Sequence, residues 1–256
     1  MKRVVVTGMS AITALGDSWP EFKASLQAGK NAVVTMPKWD YIEGMNTRLG
    51  APVTHFVKPA HYKRKKVRSM GRVSLMATRA TELALEQAQL LTAPCLTNGD
   101  TGIAYGSSIG STDPIIPFGR MLDTGSMEGV TATSYIQMMA HTTAVNVGVY
   151  FELKGRVITT SSACTSASQG IGYAYEAIKF GKQKVMVAGG AEELCASEAA
   201  VFDTLYATSV KNDTPEQTPR PFDQNRDGLV IGEGACTLIL EEYEHAKARG
   251  ATILAE

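Results

Sequence analysis

The chain has 256 residues, 44% of them hydrophobic, and its 25 Lys and Arg balance 25 Asp and Glu, so its formal net charge is zero. That length can bury a substantial core, and the balanced charge excludes a global pull towards nucleic acid or an acidic membrane. No apolar run approaches the roughly 18 residues of a membrane span, and Cys95, Cys164, Cys195 and Cys236 show neither C-x-x-C spacing nor a metal-ligand pattern with the histidines. A soluble, cytoplasmic protein with reduced thiols, no metal and no cofactor is therefore expected. Met1-Lys2-Arg3 leads into only a few apolar residues before Gly8, so no signal peptide is expected either.

Val4 to Gly8 reads as a first strand. A Val-rich strand ending in glycine can open a dinucleotide site, but that fingerprint needs G-x-G-x-x-G at the turn. The next glycine here is Gly16, so the phosphate cradle is missing. Trp19 to Leu26 forms a helix behind an Asp17 or Ser18 cap, closed by Gly29. Residues 30–60 hold Pro37, Pro52 and Pro59 with little periodicity and read as a long surface excursion. Lys63-Arg64-Lys65-Lys66, with Arg68 and Arg72, is the one strong charge cluster. It is either a solvated helix start or a dock for an acidic protein. Nucleic acid is the weaker partner, because no aromatic set is interleaved.

From Val73 to Leu91 the apolar spacing predicts a long amphipathic helix. Thr101 to Tyr105 is a second strand, followed by Gly106-Ser107-Ser108-Ile109-Gly110, read as a tight turn. Residues 111–133 read as irregular, and Ser134 to Val149 as helical, with Met138 and Met139 as packing residues. Gly155 to Thr160 is a strand, and Ala167, Ile171, Ala174 and Ile178 define a helix closed by Gly181. Lys184 to Gly189 is apolar on both faces, as a buried parallel strand is. A helix from Glu198 to Ala207, an ion-rich loop over 209–234, a strand from Cys236 to Leu240 and a helix from Glu241 to Arg249 complete the chain. Asp223, Arg226 and Asp227 in that loop are read as structural. The strand–helix alternation gives an α/β fold.

Cys164 stands out by position. It falls on the turn between the strand at Thr160 and the helix at Ala167, at or near a helix's first turn. Partial positive charge gathers there and the first N–H groups lack intrahelical partners. Such a place stabilises a thiolate, and the same N–H groups can hold an oxyanion. Small neighbours leave room for a substrate. Local context leaves two readings open, a nucleophile and a buried structural cysteine.

Ser162-Ala163-Cys164-Thr165-Ser166 resembles the active-site motif of the β-ketoacyl-acyl carrier protein synthases, condensing enzymes of the thiolase-like superfamily. Arg3 to Met9, Val185 to Glu192, Arg220 to Asp223 with Arg226-Asp227-Gly228, and Gly232-Glu233-Gly234-Ala235 agree in order and spacing. The last two segments resemble the elongating branch. The resemblance implies a thiolase-like α/β fold, here its N-terminal half: one domain over residues 1–256, a mixed five-stranded sheet with helices on its faces. It implies that Cys164 is the nucleophile, that Ile109 lines an acyl pocket, and that Met138 and Met139 bound chain length near a dimer interface. It also implies that Lys63, Arg64, Lys65, Lys66, Arg68 and Arg72 receive acyl carrier protein, loaded with an acyl or malonyl group, and that the protein is a homodimer.

The implied chemistry is a decarboxylative Claisen condensation in chain elongation, split in two by the acyl-cysteine. In the resembled family two histidines, in H-G-T-G-T-like and G-G-H-N-like contexts, stabilise the enolate of the second half. Neither context occurs here. His55, His61, His141 and His245 are assigned no catalytic role, and His245 is expected to be solvated on a charged helix. The chain therefore reads as the half of a duplicated unit that carries the nucleophile, with the other half absent from this sequence. Its uncovered sheet would expose a large apolar face, so association is expected. Two competing functions remain: a non-catalytic carrier-docking or chain-length partner subunit, favoured by the missing histidines but disfavoured by Cys164, and a coenzyme A-dependent thiolase, disfavoured by the Lys63 to Arg72 cluster and the Arg220 to Ala235 segment.

Overall fold

The structure is a computed structural model that describes residues 1–256. In chain order the elements are β1 (Val4–Thr13), α1 (Trp19–Gln27), β2 (Val34–Thr35), β3 (Leu49–Ala51), α2 (Arg64–Val67), α3 (Arg72–Gln87), β4 (Thr101–Gly106), α4 (Ile116–Thr124), α5 (Ala132–Met138), α6 (Thr142–Tyr150), β5 (Val157–Thr160), α7 (Ser166–Lys179), β6 (Val185–Glu192), α8 (Ala196–Thr204), β7 (Ile231–Gly232), β8 (Gly234–Glu242) and α9 (Tyr243–Ala248). They form two compact units. One comprises Met1–Ile12, Val57–Glu192 and Ala235–Glu256, the other Thr13–Phe56 and Glu193–Gly234.

The first unit is built on a five-stranded sheet in the order β1-β8-β6-β4-β5. β4 pairs in parallel with both β5 and β6, in a register that aligns Tyr105 with Thr159 and with Gly189. The Glu242 N–H donates to the Lys184 carbonyl while the Cys236 carbonyl lies against Gly189, so β8 runs antiparallel to β6 and the sheet is mixed. Strand alternation separates two faces. Ala104, Met186 and Ala188 pack with Ala174, Ala177 and Ile178 of α7. Ile103, on the opposite face, approaches Gly148 of α6.

The second unit holds a three-stranded sheet, β2-β3-β7. Residues 30–56 of the stretch read as a surface excursion belong to it, and part of that stretch is core. Trp39 and Met45 form a core with Ala199 of α8, and Leu49 and Val53 are fully buried. Periodicity was too weak to show this, because the stretch is anchored by side-chain hydrogen bonds more than by regular elements. The Asp203 carboxylate accepts from the backbone N–H groups of Asn46 (2.8 Å) and Thr47 (2.9 Å) and from the Thr208 hydroxyl (2.9 Å). Burial alone would push that carboxyl up, but these donors hold it below the usual range.

Other expectations also shift. α4 lies inside the stretch read as irregular; Pro117 is compatible with its first turn, and Gly125 ends it in the left-handed region (φ 73°). The helix expected over Ser134–Val149 is two helices, broken where Met139 turns extended. The Thr142 hydroxyl caps that break by donating to the Ile136 and Met139 carbonyls. α8 starts and ends earlier than expected, and α3 stops before Leu91. His245 is not merely solvated: its Nδ1 lies 2.8 Å from the Glu241 carboxylate, which is fully buried.

Candidate active site

The carboxyl ends of the parallel strands β4, β5 and β6 meet the start of α7, a common place for a ligand in an α/β sheet. Three glycines make the approach possible. A Cβ on Gly106 would lie 2.6 Å from the Ser166 carbonyl carbon, one on Gly190 2.6 Å from the Ala167 side chain, and one on Gly170 2.9 Å from the Ala104 carbonyl. The Thr160 hydroxyl at the end of β5 donates to the Ser166 carbonyl (2.8 Å), fixing strand to helix.

Between them runs the turn that carries Cys164. Ala163 is held in the left-handed region at φ 52°, which is uncommon for a residue with a Cβ. The buried Ser166 hydroxyl locks the turn: it accepts from the Ser162 N–H (2.9 Å) and donates to the Ala163 carbonyl (2.7 Å). Cys164 is exposed at its apex. The helix begins at Ser166, one residue before Ala167, behind Thr165 as cap, so Cys164 stands two residues ahead of its first turn. The Thr165 and Ser166 N–H groups donate to the Ser162 (3.3 Å) and Ala163 (3.0 Å) carbonyls. These two amides therefore close the turn, and the expectation that the helix's first N–H groups hold an oxyanion does not extend to them. Among the other cysteines, Cys195 is buried, burial pushes the half-buried Cys95 thiol up, favouring its neutral form, and Cys236 is exposed on β8.

Ile109 is next to this turn. The Ser161 hydroxyl reaches the Ser108 carbonyl at 3.5 Å. A Cβ on Gly110 (φ 77°) would meet the Met138 carbonyl at 2.4 Å and the Ala140 nitrogen at 2.8 Å. The turn at Cys164, the Ile109 loop and the Met138–Met139 break are therefore neighbours in one unit, and Ile109, Met138 and Met139 are all half-buried. The loop itself is anchored by Glu192 at the end of β6, whose carboxylate accepts from the Ser107 hydroxyl (2.9 Å), the Ser108 N–H (2.6 Å) and hydroxyl, and the Ile109 N–H (3.3 Å). Sequence reasoning missed Glu192, although an acid closing an otherwise apolar strand was a visible signal.

The basic cluster is divided by its fold. Buried Val67 packs α2 onto Tyr62 and Met70. Arg64, Lys65 and Arg68, with Lys58, Thr133 and Gln137, line an open cleft of about 900 Å³. Lys63 precedes α2 and is exposed. Lys66 turns away to Glu152 (3.3 Å) and the face of Tyr150, and Arg72 is half-buried as the first residue of α3. Lys58 and Gln137 carried no signal in the sequence, since both reach the cleft only through tertiary packing; the Gln137 amide donates to the Arg68 carbonyl at 2.9 Å. Three histidines face carboxylates: His55 with Asp17 (2.7 Å), His61 with Glu82 (2.6 Å) and His245 with Glu241. His141 precedes α6 and is exposed.

A cysteine raised on a strand-to-helix turn above a mixed sheet marks an α/β protein with a presented thiol, and its relatives give the class as the thiolase-like ketosynthase fold. The chain belongs to the β-ketoacyl synthase family: the description "Beta-ketoacyl synthase, N-terminal domain" fits residues 1–246. It is 36% identical over 259 residues to a 3-oxoacyl-[acyl-carrier-protein] synthase 1 of Haemophilus influenzae, covering all of this chain and 63% of that protein. The corresponding Escherichia coli K12 protein is 35% identical at the same coverage. The crystal structure of a β-ketoacyl synthase from Burkholderia phymatum superposes with a TM-score of 0.97 at 63% identity, over 99% of this chain and 62% of that one. A ketosynthase/chain length factor for ishigamide superposes at 0.85 with 27% identity, over 98% and 61%. The chain thus spans somewhat less than two thirds of the relatives it matches.

Proposed function

We propose that this chain supplies the nucleophile of an elongating 3-oxoacyl-[acyl-carrier-protein] synthase, in fatty-acid or polyketide-like chain extension. The observation that carries the reading is Cys164, exposed on a locked, strained turn beside the Ile109 loop. Its thiolate attacks the thioester carbonyl of an acyl-loaded carrier. A new carbon–sulfur bond forms, and collapse of the tetrahedral oxyanion breaks the thioester bond and expels the carrier's thiolate. In the second half-reaction malonyl-carrier loses carbon dioxide, and the resulting carbanion equivalent attacks the acyl-cysteine. The 3-oxoacyl carrier forms and the Cys164 thiolate is released. No histidine of this chain is assigned to stabilise that enolate: none of the four, His141 included, lies in either histidine context of the family, and His55, His61 and His245 are engaged by carboxylates.

Arg64, Lys65 and Arg68 beside the cleft receive the acidic carrier, since concentrated charge steers encounter. Lys63 extends that patch, whereas Lys66 and Arg72 contribute less, being turned or half-buried. Ile109, Met138 and Met139 bound the acyl chain. β5 is the edge of its sheet, with Val157 half exposed, and an unpaired edge of this kind favours a homodimer. No helix is long and apolar enough to cross a membrane, which is compatible with a cytoplasmic enzyme.

The test is transfer of an acyl group to the protein from carrier-bound and coenzyme A-bound donors. Wild-type protein is expected to gain one acyl mass, faster from the carrier, and Cys164→Ala to gain none. Equal labelling of Cys164→Ala refutes the nucleophile. A preference for coenzyme A favours a thiolase.

A further inference from the structure

We propose that Glu192 is a positioning residue that sets acyl-chain selectivity by latching the loop that presents Ile109 beside Cys164. The inference rests on the synthase reading above. The loop Ser107–Gly110 leaves the end of β4, and β6 ends beside it at Glu192. A carboxylate accepts only, and each of its oxygens takes two donors here: Oε1 the Ser107 hydroxyl and the Ile109 N–H, Oε2 the Ser108 N–H and hydroxyl. Two successive backbone amides and two successive hydroxyls are thus held by one side chain on a rigid strand. The Ser107 hydroxyl also accepts from the Gly110 N–H at 3.0 Å, so the latch extends through the whole loop. The far side of the loop is closed by the Met138–Ala140 backbone against Gly110. Glu192 therefore fixes how far Ile109 stands from the Cys164 turn.

The chemistry makes the latch specific to this side chain. A glutamine has the same size but one acceptor oxygen. Either orientation of its amide sets an N–H against a backbone N–H, that of Ser108 or that of Ile109. An aspartate keeps the charge but is one methylene short of the loop. If the charge alone mattered, through its field at Cys164, aspartate would serve as well as glutamate. A latch fails with both.

The experiment compares wild-type protein with Glu192→Gln, Glu192→Asp and Ser108→Ala, the last leaving Glu192 in place. Hydrogen exchange of peptides covering residues 106–110 is read first. Then acylation of Cys164 from short-chain and long-chain acyl carriers is timed, with alkylation by iodoacetamide as a control that needs no acyl pocket. Exchange in the loop is expected to rise about ten-fold in both Glu192 variants and less in Ser108→Ala, with the rest of the unit unchanged. The long-to-short ratio of acylation rates is expected to change about five-fold in both Glu192 variants, while alkylation stays within about two-fold. Unchanged loop exchange, a loosened loop with an unchanged length ratio, or an aspartate variant that matches wild type overturns the inference. Wild-type protein that takes no acyl group overturns the synthase reading and the pocket role with it, an outcome distinct from an insensitive loop in protein that does acylate.

Discussion

The Cys164 turn concentrates its constraints in two neighbouring positions. Ala163 occupies a left-handed conformation (φ 52°) that costs a side chain with a Cβ about 1 kcal/mol or more. A β-branched side chain worsens this, so Ala163→Val is expected to destabilise by about 2 kcal/mol in urea unfolding and to slow alkylation of Cys164. Gly106→Ala drives a Cβ into the Ser166 backbone, which cannot swing aside as a long side chain can; a loss of about 3 kcal/mol is expected, with slower acylation because the helix start must move. The place of Cys164 on a strand-to-helix turn was legible from strand, small residues and helix in succession, which left nucleophile and structural cysteine both open; the nucleophile reading came from the resemblance. The lock on its turn was not, because Ser166 acts through contacts with Ser162 and Ala163 that depend on an unusual dihedral. Glu192 was visible as an acid closing an apolar strand, but what it holds was not, for a related reason: its partners lie more than 80 residues away in the chain.

At the level of elements, α2 shows how a charge run becomes a surface. Val67 anchors the helix, and Arg64, Lys65 and Arg68 face one cleft. Reversing two of them, Arg64→Glu with Lys65→Glu, is expected to raise KM for a carrier-bound donor about ten-fold and leave a coenzyme A-bound donor unchanged. Rising salt should weaken the wild-type protein's use of the carrier in the same direction. The sequence showed the cluster but not its division, since which lysine turns towards Glu152 depends on where α6 ends. The junction of β8 and α9 carries a second electrostatic element. Burial would push the Glu241 carboxyl up, but Arg249, Thr7 and His245 hold it below its ordinary value of 4.5. A depressed carboxyl contributes stability above its unfolded value and loses it as pH falls through the folded one. Urea midpoints are therefore expected to decline below about pH 4.5, with a shallower decline in Glu241→Gln. That variant should be about 3 kcal/mol less stable at pH 7, since it leaves Arg249 without its buried partner.

The whole molecule follows strand–helix alternation where strands are buried and departs from it where they are not. β4, β6 and β8 were legible because continuous apolar runs bounded by turns leave few alternatives. The second unit was not, since its strands are two or three residues long and Asp203 gathers chain segments some 157 positions apart. Its order is carried by hydrogen bonds that have no period. Assembly is argued at this scale too. With β5 at the sheet edge, wild-type protein is expected to sediment as a dimer and Val157→Lys as a monomer, an edge lysine being a known barrier to strand pairing. The central claim is that Cys164, and no other cysteine, takes the acyl group. The most direct measurement is peptide-level mass spectrometry of the protein after incubation with an acyl-loaded carrier and no malonyl-carrier, so that only the first half-reaction can run. The account predicts one acyl mass on the peptide that contains Cys164 and none on those of Cys95, Cys195 or Cys236; an acyl group on any of these three, or on none of the four, contradicts it.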